Sequence, residues 1–296
     1  MKKIGKPILA FILFLFIQGI VSVLAGVIAL VTHRDALQSA MQGDGTALHE
    51  IVKQPTLLGL TLIVSSIVTI LVIKGIGMMS FKNAFCSKGI TLPNSLLAII
   101  AAVTGIAATN IFSEMIDLPN IIEVQITSMS SNIWGILAIS LFGPIAEEVV
   151  FREGILGHTL RNGMKPWAAI CFSALLFGLI HLNPAQIPFA FCVGLILGFI
   201  YYRTGNIVLT SIIHIINNSF SCLLLYLYGN KANDIKMCDY LGGASIPCIV
   251  IFAALCIWLL IIFKKKTQDI AYVTERVAEP ATEEPADTDD NQNITE

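Results

Sequence analysis

The chain has 296 residues, of which 55% are hydrophobic and 13% charged, and its mean hydropathy is +0.79. A soluble domain carries about 25% charged residues, so this composition excludes an ordinary soluble protein and favours several membrane-spanning helices. The net charge is -2, and no basic stripe with interleaved aromatic residues points to nucleic-acid binding.

Eight apolar runs predict an all-α polytopic membrane protein of about eight transmembrane helices, because a span needs about 20 apolar residues. The runs lie at 7–31, 56–79, 94–113, 132–156, 166–182, 186–202, 206–228 and 244–263. The first exceeds the roughly 7–15 apolar residues of a secretory signal, so we expect a retained span. The sixth is short, with Pro184 and Pro188 at its start. Seven spans with one re-entrant segment are therefore an alternative.

Lysine and arginine divide unequally between the two sides of this predicted bundle. If the runs alternate in direction, thirteen of the lysines and arginines before residue 267 lie on the side of the N-terminus and four on the other. The four are Arg34, Lys53, Lys231 and Lys236. Positive residues concentrate on the cytoplasmic side, so the count predicts a multi-pass protein of the cell membrane with both termini cytoplasmic. Together with the compact size, it suggests a bacterial protein.

The composition changes sharply after Lys266. Residues 267–296 are acidic and contain prolines, which predicts a disordered cytoplasmic tail. The chain then divides into a transmembrane domain, 1–266, and this tail. Within the domain, the polar residues described next select 132–228 as the catalytic core.

The fourth run contains two adjacent glutamates and an arginine, which are costly inside a hydrocarbon layer and therefore indicate a use. Glu148 and Arg152 are four residues apart with the acid first, the favourable order for a helical ion pair. Glu147 points about 100° away around the helix axis. We expect Arg152 to hold Glu148 and to leave Glu147 for another partner. Glu153, at the predicted cytoplasmic boundary, is expected to be solvated.

Two histidines and an asparagine complete the set of strongly polar groups at depth, His181 in the fifth run and His214 and Asn218 in the seventh. A carboxylate in a cavity of low dielectric can act as a general base, and His181 can help Glu147 orient a water molecule. His214 and Asn218 share a helix face and can donate hydrogen bonds to an oxyanion. These residues around a water-filled, cytoplasm-facing cavity predict a hydrolase acting on peptide bonds.

The same residues leave a metal site open. Glu147, His181 and His214 could bind a zinc ion with one free position. The HExxH spacing of many metalloproteases is absent from the sequence. We favour a metal-independent glutamate mechanism, because Asn218 four residues after His214 suits a pair of donors better than a pair of ligands.

These residues resemble the CPBP family, the CAAX-processing and bacteriocin-processing intramembrane endopeptidases, also called the Abi family. The resemblance covers roughly 133–225 and implies an α-helical membrane protease for peptides or prenylated proteins, with cleavage near their C-termini. It implies that Glu147 and His181 activate water, that His214 and Asn218 stabilise the oxyanion, and that Glu148, Arg152 and Phe177 have positioning roles. The three motifs are Glu147-Glu148-xxx-Arg152, Phe177-xxx-His181 and His214-xxx-Asn218.

Other interpretations use the same residues differently. A proton-coupled transporter could use Glu147 and the histidines as a relay. A non-enzymatic immunity or scaffold protein could keep the motifs for binding alone. His181 could simply be a residue at a helix end, and His214 with Asn218 could bond neighbouring helices, although Asn217 suits that role better. The substrate, the metal dependence and the oligomeric state are not readable from the sequence.

Overall fold

The computed structural model describes residues 2–79, 90–116 and 118–267. The predicted tail therefore lies, apart from its first residue, outside the described residues. All regular elements in the described ranges are helical, which confirms the predicted all-α class. The main helices are α1 (Lys2–Thr32), α4 (Pro55–Gly75), α5 (Leu92–Glu114), α7 (Ile133–Arg161), α8 (Pro166–Leu179), α9 (Gln186–Thr204), α10 (Ile207–Tyr228) and α13 (Ser245–Lys266). The shorter helices are α2 (Arg34–Met41), α3 (Thr46–Val52), α6 (Glu123–Ser130), α11 (Lys231–Asp234) and α12 (Met237–Leu241).

Within the described ranges, seven helices rather than eight are long and apolar enough to cross a membrane. The short helix is α8, with 14 residues, whereas the sequence pointed to α9, the sixth run, as the short one. The difference arises because the chain leaves α8 at Leu179 to make a tight turn. Leu182 adopts a left-handed conformation there, with φ of 49°. Large apolar side chains on the outer surfaces of the bundle, such as Phe16, Ile100 and Trp258, are exposed where a membrane protein meets lipid.

Helix α7 is regular only in part. Its α-helical stretch Gly143–Glu148 lies between two π-helical stretches, Ala138–Phe142 and Val149–Gly157. Pro144 has no backbone N–H to donate to the preceding turn. A wider helical turn before it therefore costs little free energy. The second stretch leaves the Phe151 carbonyl to accept a hydrogen bond from the Ser173 hydroxyl of α8, at 2.7 Å. The glutamates thus stand on a short regular segment framed by widened turns.

Small residues bring α8 and α9 together. Gly194 and Gly198 lie four residues apart on α9, and a Cβ atom on Gly194 would come within 3.1 Å of Ala174 and of the Phe177 ring. A Cβ on Gly178 of α8 would lie 2.9 Å from the Ile187 carbonyl. Such small-residue contacts are a common way of packing membrane helices, since apolar burial gains little in lipid. The hairpin fixes the position of Phe177 and the turn after it.

A second close contact joins α4 to the start of α7. A Cβ atom on Gly59 would lie 2.6 Å from the backbone nitrogen of Gly135. Nearby, the Asn132 side chain donates to the Thr56 hydroxyl at 3.1 Å. Backbone meets backbone here, so no side chain can move aside to make room.

The two ends of the bundle differ in charge. One end, called the basic end below, carries Lys74, Arg161, Lys165, Arg203 and the lysines 264–266. There Arg203 of α9 donates to the Thr267 hydroxyl at 3.2 Å and to the Lys264 carbonyl at 3.3 Å. The opposite end, called the loop end, carries 33–54, 118–132, 180–185 and 229–244. There Asn183 donates to Asn120 at 2.8 Å and accepts from the Ile121 backbone at 3.1 Å.

We expect Gly59→Ala to lower the thermal stability of the detergent-solubilised protein. The added methyl group would overlap the backbone of α7, and overpacking of this kind costs about 1–3 kcal/mol. Gly26→Ala is the matched control, because a Cβ atom there meets nothing within 4 Å. Unfolding midpoints measured by intrinsic fluorescence compare the two variants, and equal midpoints would show that α4 and α7 are not in this contact.

Candidate active site

The Glu148 and Arg152 side chains form an ion pair in the interior of the bundle. Both are fully buried, and Arg152 Nε lies 3.0 Å from Glu148 Oε2. This confirms the pairing predicted from their four-residue spacing. The guanidinium also lies over the Phe177 ring, 4.6 Å from its centroid, in the geometry of a cation–π contact. The ion pair lies within α7, and the contact of Arg152 with Phe177 also connects α7 to α8.

The His214 imidazole lies between the two glutamates. Its Nδ1 is 3.1 Å from Glu148 Oε1, and its Nε2 is 3.7 Å from Glu147 Oε2. A carboxylate only accepts hydrogen bonds, so His214 Nδ1 carries a proton. His214 can then donate from Nε2 only when it carries both protons. The partner of Glu147 that the sequence left unnamed is thus the same histidine that contacts Glu148.

Glu147 differs from Glu148 in its surroundings. Its side chain keeps 21% of its exposure and lines a cavity, whereas Glu148 is completely buried. Its Oε2 atom is buried and makes no hydrogen bond with any residue that the structure describes. One of the two glutamates is thus held by an arginine, and the other presents its carboxylate to the cavity.

Phe177 organises the ring system between the two histidines. Its ring makes edge-on contacts with His181 and His214, at centroid distances of 5.3 and 5.6 Å. His181 Nδ1 lies 2.9 Å from the Phe177 carbonyl, so this nitrogen is the donor. In neutral His181 the remaining nitrogen, Nε2, is therefore an acceptor. The side chain also lines the cavity, as a residue that orients water must.

The sequence assigned the hydrogen bond between helices to Asn217, but in the structure Asn218 makes it. Asn218 Nδ2 donates to the Ile139 carbonyl of α7 at 3.0 Å, so Asn218 connects the two helices. Asn217 Nδ2 donates to Asn218 Oδ1 at 3.0 Å and orients that amide. The first π-helical stretch of α7 supplies the carbonyl, which sequence periodicity does not reveal. One N–H of Asn218 is left for a ligand in the cavity, which both asparagines line.

The polar residues surround a cavity of about 450 Å³. Its walls include Gln18 of α1, which the sequence reasoning missed because the search considered ionisable groups in that span. The Gln18 amide oxygen accepts from the Ser65 hydroxyl at 2.7 Å. Beyond the catalytic candidates, the lining runs toward the loop end, through Leu182, Gln186 and Leu225. The sequence predicted a cytoplasm-facing cavity that opens at the basic end; the lining extends toward the loop end instead, and the membrane side that each end faces stays a prediction.

Glu153 is buried rather than solvated, contrary to the expectation from sequence. Its side chain accepts a hydrogen bond from the Tyr201 hydroxyl of α9 and lies 3.2 Å from Arg161 Nη1. The residue follows Arg152 directly, but the wide turn of the π-helical stretch directs it toward α9. Together, Glu153, Tyr201 and Arg161 form a polar cluster between the ion pair and the basic end.

The three side chains of the alternative metal site are not grouped around one point. Glu147 and His214 approach each other, but His181 Nδ1 bonds the Phe177 carbonyl. Across the described ranges, no three His, Cys, Asp or Glu side chains are grouped as metal ligands would be. The zinc site of Glu147, His181 and His214 stays the alternative named from the sequence, and no step below depends on a metal.

Comparison with known proteins identifies the segment that holds these residues. Residues 129–220 match the family of Rce1-like, type II CAAX prenyl endopeptidases. This segment is similar to the Rce1-like family. The match confirms the resemblance carried by the three motifs, and it overlaps the predicted core at 132–228. No solved structure matches the chain.

Three bacterial proteins are similar to the chain in sequence. It is 32% identical over 132 residues to the membrane-embedded CAAX protease MroQ of Staphylococcus aureus, covering 43% of this chain and 53% of MroQ. It is 29% identical to the UPF0177 protein YajF of Lactococcus lactis, over 49% of this chain and 73% of YajF. The putative membrane peptidase YdiL of Bacillus subtilis is 29% identical, over 30% of this chain and 36% of YdiL. The chain thus spans about half the length of MroQ.

We expect Arg152→Met to destabilise the protein strongly. Removing one partner leaves Glu148 buried without its counter-charge, which typically costs about 3–5 kcal/mol. The double variant Glu148→Gln/Arg152→Met is the matched control, because it removes both charges and should recover much of the lost stability. Unfolding midpoints in detergent measure both variants. A single variant as stable as the wild type would show that the pair contributes little.

Proposed function

We propose that the chain is a membrane-embedded endopeptidase that uses Glu147 to activate water. One observation carries the proposal. Glu147 lines a cavity together with His181, His214 and Asn218, and its buried Oε2 atom has no hydrogen-bond partner among the described residues. These four residues lie in the segment that matches CAAX endopeptidases. MroQ, a relative by sequence, is named a membrane-embedded CAAX protease, which supports the same class.

Hydrolysis begins with a water molecule between Glu147 and His181. The Glu147 carboxylate takes one proton from the water, and the oxygen attacks the carbonyl carbon of the scissile peptide bond. His181 Nε2, an acceptor because Nδ1 donates to Phe177, holds the second hydrogen of the water. The proton on Glu147 then passes to the leaving nitrogen as the C–N bond breaks. The products are a carboxylic acid and an amine, and Glu147 returns to its starting form.

We assign to His214 and Asn218 the role of stabilising the oxyanion of the intermediate. His214 Nε2 donates when the imidazole carries both protons, and Asn218 has one N–H left after bonding Ile139. Glu148 accepts from His214 Nδ1 and so orients the ring. Donors held in place before the reaction stabilise developing charge efficiently, because they need no reorganisation. Glu148, Arg152 and Phe177 are positioning residues in this mechanism, since each acts through another side chain.

The substrate class follows from the walls of the cavity. Apart from the polar residues already described, they are mostly apolar and include Leu62, Ile126 and Phe189. Such walls fit a peptide with apolar side chains from a membrane-associated protein, with prenylated C-termini as one class to be tested. The protein would reside in the cell membrane of a bacterium, as the named relatives do by organism.

The first test of the proposal is Glu147→Gln, which removes the base and keeps the shape of the side chain. We expect peptide cleavage to fall by about 10²–10⁴-fold, the usual contribution of a general base. Solubilised protein is incubated with quenched peptides, prenylated and unprenylated, in the presence of a strong chelator, and the products are identified by mass spectrometry. Glu50→Gln, the same change at an exposed residue, is the control and should cleave normally.

Three outcomes would contradict this proposal in different ways. Cleavage that appears only when metal is restored would make the residues metal ligands. Cleavage by Glu147→Gln at the wild-type rate would exclude this base. A cellular role that survives the substitution without any cleavage would indicate an immunity or scaffold protein.

The second test addresses the oxyanion. We expect Asn218→Ala to lower kcat by about 10²–10³-fold with a small change in KM, because the lost donor acts mainly in the transition state. Ser221→Ala is the control on the same helix and the same cavity wall, since the Ser221 hydroxyl is bonded to the Asn217 carbonyl. Steady-state kinetics on a cleaved peptide separates the two parameters. An equal effect of both substitutions would assign Asn218 a structural role only.

A further inference from the structure

Gln18 of α1 lines the cavity, but the reaction proposed above does not use it. It is the only amide or charged side chain in the apolar run 7–31. It also lies outside 129–220, the segment that matches the family, and nevertheless shares a cavity with Glu147. An amide in apolar surroundings costs free energy unless it forms hydrogen bonds, so its position in this wall indicates a use.

The helices α1 and α7 run antiparallel beside each other. Lys6, near the start of α1, lies close enough to His158, near the end of α7, for their charges to interact. Farther along both helices, the Phe14 ring of α1 makes an edge-on contact with the Phe151 ring of α7, at 6.0 Å between centroids. These two contacts fix which residues of α1 stand opposite which residues of α7.

Gln18 stands at the level of Glu147 in the bundle. It follows Phe14 by four residues, and Glu147 precedes Phe151 by four. Because the helices are antiparallel, both residues lie about 6 Å from the ring contact in the same direction. Residues four apart share a helix face, so each follows the direction of its phenylalanine. Gln18 therefore borders the part of the cavity that contains the proposed base.

A buried serine fixes the orientation of the Gln18 amide. Ser65 of α4 is completely buried, and its hydroxyl lies 2.7 Å from Gln18 Oε1 and 3.0 Å from the Leu62 carbonyl. The shorter contact holds the amide oxygen on the side of α4. The amide nitrogen Nε2 carries two donors, and no residue that the structure describes accepts from it. Gln18 thus brings free N–H groups to the cavity wall.

A peptide in the cavity needs such donors. Its backbone carbonyls lose water on entry, and a buried carbonyl without a donor costs free energy. The proposed oxyanion donors, His214 and Asn218, serve the scissile carbonyl. Other polar groups of the wall are engaged, since the Asn217 amide donates to Asn218 and the Ser221 hydroxyl donates to the Asn217 carbonyl. Gln18 supplies a donor for another carbonyl at the level of the base.

We propose that Gln18 binds the substrate, with Nε2 donating to the backbone carbonyl of a residue next to the scissile bond. This inference rests on the proposed endopeptidase function and adds a substrate-binding residue to it. Every peptide has backbone carbonyls, so Gln18 sets the register of the chain against Glu147 and does not select a side chain. Ser65 is a positioning residue, because it acts through Gln18.

The first test is Gln18→Met, which keeps the length of the side chain and removes the donor. For a quenched apolar peptide that the solubilised wild type cleaves, we expect KM to rise about 3- to 10-fold. We expect kcat to stay within about twofold, because the bond is made in the ground state and the transition state alike. Gln38→Met, the same change at an exposed residue of α2, is the control and should cleave normally.

Gln18→Glu tests the direction of the hydrogen bond. A carboxylate only accepts, so KM should rise at least as much as in Gln18→Met. A wild-type KM in either variant, or a loss confined to kcat, would overturn the proposal.

Thioamide peptides locate the contact. A thioamide sulfur accepts hydrogen bonds more weakly than an amide oxygen, so one analogue modified next to the scissile bond should have a higher KM with the wild type. With Gln18→Met this difference should disappear, because the two changes remove the same interaction. If every thioamide peptide keeps the same disadvantage with both proteins, Gln18 does not contact the backbone and the proposal fails.

Peptide binding to Glu147→Gln separates this inference from the endopeptidase proposal. Fluorescence anisotropy with a panel of labelled apolar peptides gives Kd in detergent. We expect added Gln18→Met to raise Kd about 3- to 10-fold, and Ser65→Ala to cause no further loss in that background. An unchanged Kd, or a panel that does not bind, would overturn the role of Gln18. If the wild type cleaves no peptide, the endopeptidase proposal fails, and the binding result still decides the role of Gln18.

Discussion

The buried pair of Glu148 and Arg152 sets the geometry of the whole site. Two opposite charges in an apolar interior are tolerable only when their mutual distance is short and other groups satisfy them. Arg152 reaches Glu148 on α7 and covers Phe177 on α8, while Glu148 bonds His214 on α10. Three helices are therefore fixed relative to one another by one ion pair. A shift of any of them would leave a charge without compensation.

This constraint explains why backbone geometry around the pair departs from a regular helix. The π-helical stretches of α7 turn the Ile139 and Phe151 carbonyls toward side chains of neighbouring helices, Asn218 of α10 and Ser173 of α8. Widened turns of this kind often occur at functional sites. Polar side chains from other helices take the hydrogen bonds, so α7 is held at two levels, one on each side of Glu147. On such a doubly anchored segment, Glu147 would need little reorganisation during the proposed reaction.

Local sequence spacing was enough to predict the ion pair within α7. The polar residues of the fourth, fifth and seventh runs were enough to predict which helices meet at the site. Glu148 and Arg152 are neighbours by helical periodicity alone, and the polar residues in the fourth, fifth and seventh runs had few other reasons to be inside a membrane. The rotation of one helix relative to another is not encoded in spacing, so the position of His214 between both glutamates could not be read. The exchange of roles between Asn217 and Asn218, and the burial of Glu153, depend on π-helical turns that leave no periodic signal. The direction of the cavity was missed because the prediction relied on depths counted along straight helices, without the packed aromatic layer around Phe151.

The short length of α8 has a consequence for the surrounding lipid. Its 14 residues extend about 21 Å, whereas the hydrocarbon layer is about 30 Å thick. A bilayer adapts to a short helix by thinning locally or by letting headgroups and water descend to the helix end. We therefore expect the bilayer to be thinner around the turn with His181 and Leu182 at the end of α8. Water would then reach the histidine through a shortened hydrocarbon layer, and bilayer thickness and lipid composition would affect the rate of the proposed hydrolysis.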